Sequence, residues 1–486
     1  MNFTNVNLGP VLPESFLLIS ALSLLLLDLW LRDERGVVIH WLSVATLAAC
    51  ALFGILDMQQ GTSAVYMFNN MFVGDAMSRL LKLVVCLSAA TTLLYAREYL
   101  LARGMARVEF YTLALLAVLG MMVMISANHF MVLYLGLELM SLSIYAMVAM
   151  QRDSSKATEA ALKYFVLGAL ASGMLLFGMS MIYGATGSLE IPQVAAKIAS
   201  GAANPVLNSI GLVFVVAGLA FKLGAVPFHM WVPDVYEGSP TAVTLFLGSA
   251  PKLAAFAFVI RMLAVSLAGL AADWQQMLII LAVLSMGLGN LTAIAQTNIK
   301  RMLAYSAISH MGFMLLGIIA ANANGFGSAM FYVVAYVLMT AGTFGVMMLL
   351  SGDKSEADDF DTFRGLNQRS PWKAFVMLLL MASMAGIPGT VGFLAKLSVI
   401  QSVMDIGLVW LAVVSVMFSL IGAFYYLRII KLMYFDEPVG GLVVAGVADQ
   451  RILLSLNGIA ILALGIAPQF LMNACIDAIR HSLQLA

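Results

Sequence analysis

The chain has 486 residues, of which 62% are hydrophobic and 10% charged, with a mean hydropathy of +0.98 and a formal net charge of zero. A soluble domain carries about 25% charged residues, so this much apolar surface cannot be hidden in a water-soluble core and the bilayer must be the solvent. The absence of net positive charge argues against a nucleic-acid partner, and Cys50, Cys86 and Cys475 lie far apart in apolar runs, without metal or disulfide spacing.

A spanning helix needs about 20 apolar residues. That length, applied along the chain, predicts fourteen spans at approximately 10–31, 38–57, 77–97, 109–126, 129–150, 160–184, 207–230, 240–264, 275–297, 302–320, 326–350, 372–402, 407–434 and 451–473. The expected class is an all-α polytopic membrane protein, with no connection long enough for a soluble domain. No basic region precedes the first apolar run, so the N-terminus does not read as a cleaved signal peptide. Sixteen of the 25 lysines and arginines lie in or beside odd-numbered connections, among them Arg32, Arg35, Arg103, Lys156, Lys300 and Lys354. The positive-inside rule then places those connections in the cytoplasm and both termini outside. Lys197, Arg261 and Arg480 fall on the other side, and Arg79 and Lys82 open the third span from the side the rule disfavours.

Five ionisable residues interrupt otherwise lipid-soluble runs. They are Glu138 in MVLYLGLELMSLSIYAM, Lys163 in AALKYFVLGALASG, Lys222 in LVFVVAGLAFKLGAVPFH, Lys252 in LGSAPKLAAFAFVI and Lys396 in IPGTVGFLAKLSVI. A charge at bilayer depth costs about 3 kcal/mol on insertion scales, which makes each a functional candidate. Lys163 has a second reading. It lies about one turn inside the cytoplasmic end of its span, where a long side chain can snorkel to the headgroups.

Two spans also carry helix breakers at depth. Pro227 follows Lys222 in the seventh, and Gly386, Pro388, Gly389 and Gly392 crowd the twelfth. Broken helices of this kind mark the ion sites of many transporters. Lys396 lies 24 residues after Trp372, about 36 Å along an ideal helix, so it reaches the midplane only if the GIPG segment unwinds or the helix is long and tilted. His229, in the PFHMW break, and His310, in SAISHMGFM, are either proton relays or hydrogen-bonded core residues. Asp234 and Glu237 fall in a cytoplasmic connection, where carboxylates are ordinary. No dinucleotide fingerprint, P-loop or CxxC pair is present, so a nucleotide or an iron–sulfur cluster is not expected in this chain.

LYLGLELMSLSIYAM, GLAFKLGAVPFHMWVPDVYEGSP, QTNIKRMLAYSAISHMGFML and AGIPGTVGFLAKL together resemble the antiporter-like membrane subunits of respiratory complex I, over residues 70 to 435 approximately. The resemblance implies two inverted five-helix units, helices 4–8 (109–265) and 9–13 (275–435), each with one broken helix. They are preceded by helices 1–3 (1–108) and followed by helix 14 (450–486). It also implies roles: a glutamate of helix 5 pairing with a lysine of helix 7, then a lysine of helix 8 leading to the residue of helix 12. Those roles fall on Glu138, Lys222, Lys252 and Lys396, with Lys163, His229 and His310 as secondary relay candidates.

The function this implies is a proton-translocating subunit of a multi-chain NADH:quinone oxidoreductase in a bacterial inner membrane. Flavin, iron–sulfur clusters and quinone would sit on other subunits, and the partners would be membrane and peripheral chains that include sister antiporter-like subunits. The expected mechanism is electrostatic: an ionised Glu138 holds Lys222 protonated, and withdrawal of that charge releases the proton toward Lys252 and Lys396. A subunit of a multi-chain cation/proton antiporter is the alternative, and a scaffold whose charges only join helices is a third reading.

Overall fold

A computed structural model describes residues 9–31, 36–59, 61, 63–352, 355–439 and 448–484. Arg32, Arg35, Lys354 and the N-terminal residues used in the orientation argument lie outside the described residues. The apolar runs are helical because lipid offers no partner for backbone polar groups, which a helix satisfies internally. Helices α1 (Leu12–Leu31), α2 (Val37–Gln59), α3 (Ala76–Ala102), α4 (Val108–Ile125), α5 (Phe130–Val148) and α6 (Ser155–Thr186) cross in succession. A short helix α7 (Ile191–Ala199) lies in the sixth connection, and α8 (Pro205–Leu223) and α9 (Trp231–Gly238) are two parts of the seventh crossing. The eighth is α10 (Thr241–Gly248) and α11 (Ala250–Val259), continued by a π turn over Ile260–Ser266.

The second half follows with α12 (Ala271–Ile294), α13 (Ile299–Ile319), α14 (Ala323–Leu350) and a single turn, α15 (Leu366–Arg369). Next come α16 (Pro371–Ala385), α17 (Val391–Asp405), α18 (Val409–Phe435), α19 (Ala448–Ile466) and α20 (Gln469–Leu483). Among the described residues, 13 helices are long and apolar enough to cross a membrane. The half-helices α16 and α17 together make one further crossing. Helix starts follow cap chemistry: Ser154, Asn204, Asn298 and Asn322 each accept a first-turn amide.

Contacts between connections confirm the alternation. In the second connection, β1 (Val65–Met67) and β2 (Phe72–Gly74) form a hairpin whose Phe72 bridges Ala127 of the fourth, while His129 bridges Glu190 of the sixth. Asn298 of the ninth bridges Asp359 of the eleventh. Even connections therefore share one face and odd connections the other. Arg79 and Lys82, out of place by the charge rule, are neutralised internally: Arg79 Nε meets Asp57 Oδ2 at 2.6 Å and Lys82 Nζ meets Glu14 Oε1 at 2.5 Å. Arg261 is likewise paired, at 2.8 Å, with Asp75.

Two expectations need correction. The last crossing ends at Ile466, not near 473, and α20 is a separate helix. Pro468 has no amide to continue the ladder, and α20 turns back over the even face, where Ser482 Oγ accepts from Met77 N at 2.8 Å. The seventh crossing continues beyond 230 into helix α9, so Asp234 and Glu237 belong to that helix rather than to an ordinary connection. The breaks expected in the seventh and twelfth spans are both present, and the twelfth is two helices of 15 residues each, separated at 386–390. The α10–α11 segment, α13 and α14 are buried almost throughout, whereas α1, α18 and α19 expose most of their surface. Charge placed on the former is screened from lipid.

Candidate functional site

Helices α8 and α16 both stop inside the protein. Each ends on a left-handed glycine, Gly224 (φ 78°) or Gly386 (φ 90°), a conformation that costs a side chain about 1–2 kcal/mol. The last carbonyls of a helix lack internal partners and carry partial negative charge. A lysine meets them in both places. Lys252 Nζ, on α11, donates to Leu223 O at 2.9 Å. Lys396 Nζ, on α17, donates to Met384 O, Ala385 O and Ser419 Oγ, each at 3.0 Å. Amides freed by the breaks find serines: Val226 N donates to Ser285 Oγ at 2.9 Å and Gly392 N to Ser383 Oγ at 3.0 Å. Unwound backbone is thus satisfied inside the protein, which is what makes it tolerable at this depth.

The remaining charged candidates are placed differently. Lys222 is half-buried and reaches Ser141 Oγ at 3.1 Å, rather than the carboxylate of Glu138 one turn earlier on α5. Glu138 is half-buried, and its Oε1 is buried without a hydrogen-bond partner. Lys163 is exposed at the odd face, where it meets Glu159 and Asp234, both at 2.8 Å. Asp234 also takes Arg301 at 2.8 Å, so this network ties α9 to α6 and α13. His229 is buried in the first break with Nδ1 unpartnered. Trp231, at the start of α9, stacks on Tyr164 at 4.5 Å and donates to Phe221 O at 3.0 Å, and the Lys252 ammonium lies 5.8 Å from its ring.

His310 holds together a buried hydroxyl cluster that the sequence reading missed. Its Nδ1 meets Tyr332 Oη at 2.6 Å, its Nε2 meets Tyr426 Oη at 3.1 Å, and Ser306 bonds Tyr426 in turn. Tyr336 lies against the same imidazole at 5.1 Å, and Lys396 Nζ stands 5.2 Å from the ring of Phe313, one turn from His310. The available signal was Tyr332 and Tyr336, four apart in an apolar helix, since buried tyrosines usually find polar partners. A cleft of about 370 Å³, lined by Lys396, Ser419, Ile387, Leu397 and Leu420, opens beside the second break.

Residues 127–422, which include both breaks and all four lysines, match the sequence profile of the family described as NADH:quinone oxidoreductase/Mrp antiporter, TM. The chain is also 58% identical to NADH-quinone oxidoreductase subunit N of Nitrosomonas europaea over 485 residues, 99% of this chain and 100% of that one. The chain belongs to this family of antiporter-like subunits. The subunit N of Herminiimonas arsenicoxydans is likewise 58% identical, with 99% of each chain covered. Among solved structures, a chain of respiratory complex I from Thermus thermophilus superposes with a TM-score of 0.81 at 30% identity, covering 95% of this chain and 98% of that one. A chain of the Mrp complex from a Dietzia species superposes at 0.84 with 21% identity, covering 99% of each, which shows a shared fold.

Proposed function

We propose that this chain is a proton-translocating membrane-arm subunit of NADH:quinone oxidoreductase, working with sister antiporter-like chains while flavin, iron–sulfur clusters and quinone reside on other subunits. The observation that carries the reading is the repeated device at the two breaks: a buried ammonium on the carbonyl end of a half-helix, at Lys252 and again at Lys396. Helix α8 comes to its break from the even face and α16 from the odd face, which supports two inverted units over 109–265 and 275–435. Glu138 and Lys222 stand at one end of the axis, Lys252 and His310 along it and Lys396 at the other end. Lys163 and His229 are secondary.

The mechanism is electrostatic. A charge on Glu138 favours protonated Lys222, and loss of that charge favours release of the proton along the axis. Placement in a bacterial inner membrane with both termini outside rests on the charge asymmetry of the connections. The test uses inside-out membrane vesicles. Lys222→Ala is expected to lose more proton uptake than NADH oxidation, and Glu138→Ala to resemble it. The double variant is expected to be non-additive, as for residues in one network. Strict additivity with full assembly would remove the paired mechanism. The shared Mrp fold sustains cation/proton antiport as the second reading, and copurification with a flavin and iron–sulfur arm separates the two.

A further inference from the structure

Five connections meet around one cavity. It measures about 500 Å³ and opens on the odd face, with Arg103 from the third connection, Ser154 from the fifth, Ser239 from the seventh and Glu356 from the eleventh in its lining. Lys300, at the start of α13 beside the ninth connection, lines it too. Although only 1% exposed, Lys300 carries its ammonium at the cavity wall and donates to Ser239 O at 2.6 Å. Glu356 is held in place by hydrogen bonds from Tyr99 and Thr241 and by Arg103 at 3.3 Å. Burial alone would raise the Glu356 pKa, but the Lys300 charge, those two hydroxyls and Arg103 hold it below the ordinary carboxylate range. An acid kept ionised is a poor proton carrier but a good counter-charge.

Behind Lys300 lie two groups of buried hydroxyls. Ser239 Oγ meets Thr244 Oγ1 at 2.8 Å. Thr244 Oγ1 donates to the carbonyl of Tyr236 at 3.1 Å. The Tyr236, Tyr336 and Thr340 hydroxyls are neighbours, and Tyr336 lies against His310. The second group adjoins the His310 cluster of α13, α14 and α18.

We propose that protons are taken up from the odd face through Lys300, and that Glu356 is the positioning residue that keeps Lys300 charged at the cavity wall. From there the proton moves inward past the Ser239 and Thr244 hydroxyls toward the Tyr236, Tyr336 and His310 group, while the bonds of Lys300 and Thr244 to the Ser239 and Tyr236 carbonyls hold those side chains in place and carry no proton. The proposal rests on the proton-translocation reading above. Each step moves one proton between a lysine, hydroxyls and an imidazole, so no oxidant or co-reactant is needed. The groups acting on Lys300 are the carboxylates of Glu356, Asp358 and Glu237 and the guanidinium of Arg103.

The experiment replaces the chain in the whole complex and measures proton uptake and NADH oxidation in inside-out vesicles across pH, with Lys222→Ala as the comparison. Lys300→Arg keeps the charge in a group that does not deprotonate, and proton uptake per assembled complex is expected to fall at least about tenfold, equivalent to 1.4 kcal/mol. Glu356→Gln keeps one acceptor oxygen for the Tyr99 or the Thr241 hydroxyl, turns an amide N–H toward the other, and lacks the charge. An ammonium without its counter-ion loses its proton more readily, so the alkaline limb of the activity profile is expected to move about one pH unit toward acid. Glu356→Asp is expected to restore most of that shift, which a packing role for Glu356 would not produce. If Lys300→Arg fails to assemble, the Glu356→Gln profile decides alone. Parental uptake in Lys300→Arg, or an unmoved limb in Glu356→Gln, overturns uptake through Lys300. If Lys222→Ala still fails to pump in that case, the translocation reading stands. If Lys222→Ala also pumps normally, that reading falls first.

Discussion

Lys396→Arg separates a structural charge from a proton carrier. Lys396 makes two hydrogen bonds to the end carbonyls of α16, each at 3.0 Å. Bonds involving a charged group contribute about 1.5–3 kcal/mol each, so deleting the ammonium, as in Lys396→Met, removes about 3–6 kcal/mol from the second break. Arginine keeps the charge and the donors. The side chain packs closely on Gly386, where an added Cβ would stand 3.1 Å from Lys396 Cδ. On the other side the cleft of about 370 Å³ leaves room for a guanidinium. Assembly is therefore expected to survive. A guanidinium does not release its proton, so proton uptake per NADH oxidised is expected to fall below about a tenth of the parent, a barrier rise of at least about 1.4 kcal/mol. Lys396→His is expected to be milder because imidazole still titrates. The assay pairs dye-reported proton uptake in inside-out vesicles with NADH oxidation by an artificial acceptor, which counts assembled complex. An arginine variant that assembles and pumps at the parental rate would refute an obligatory proton carrier at 396.

Gly386→Ala places a side chain in the left-handed region at φ 90°, at a cost of about 1–2 kcal/mol, and presses on the stem of Lys396. Coupling is expected to drop more than complex yield, and equal losses of the two would count against a precisely placed ammonium. Asp75→Asn leaves Arg261 buried without its counter-charge, a loss of about 3–5 kcal/mol, read as earlier thermal unfolding of the detergent-solubilised complex. Burial raises the Asp75 pKa, but Arg261 and Ser78 more than offset this and hold it below the ordinary carboxylate value. Its contribution is therefore complete above about pH 4 and disappears only as pH falls through that lowered value. The difference between parent and Asp75→Asn is expected to be flat from about pH 5 to 8, and a difference that shrinks toward pH 8 would contradict the assignment. Gln484→Cys is expected to react with an impermeant thiol reagent from outside intact cells. The native thiols do not interfere, because Cys50, Cys86 and Cys475 are buried, and labelling from the cytoplasmic side alone would invert the topology.

Composition alone required a membrane protein, and the spacing of apolar runs located the crossings, because helix length in a bilayer is set by its thickness. The charged residues in those runs were equally legible, since nothing else in the segments around Lys222, Lys252 and Lys396 is ionised. What those lysines do depends on partners far away in the chain. Lys396 stands eight residues after its proline and Lys222 five residues before its own, so the two breaks do not correspond by spacing. The tertiary structure supplies the correspondence by bringing Lys252 from α11 to the end of α8. The His310 cluster draws on α13, α14 and α18, and the odd-face cavity on five separate connections. Local pattern reports which face of a helix is apolar, but not which buried hydroxyl or carbonyl meets it across the bundle. Arg79 and Lys82 show the same division. The charge rule found them misplaced, and only packing against α1 and α2 reveals that Glu14 and Asp57 cancel them.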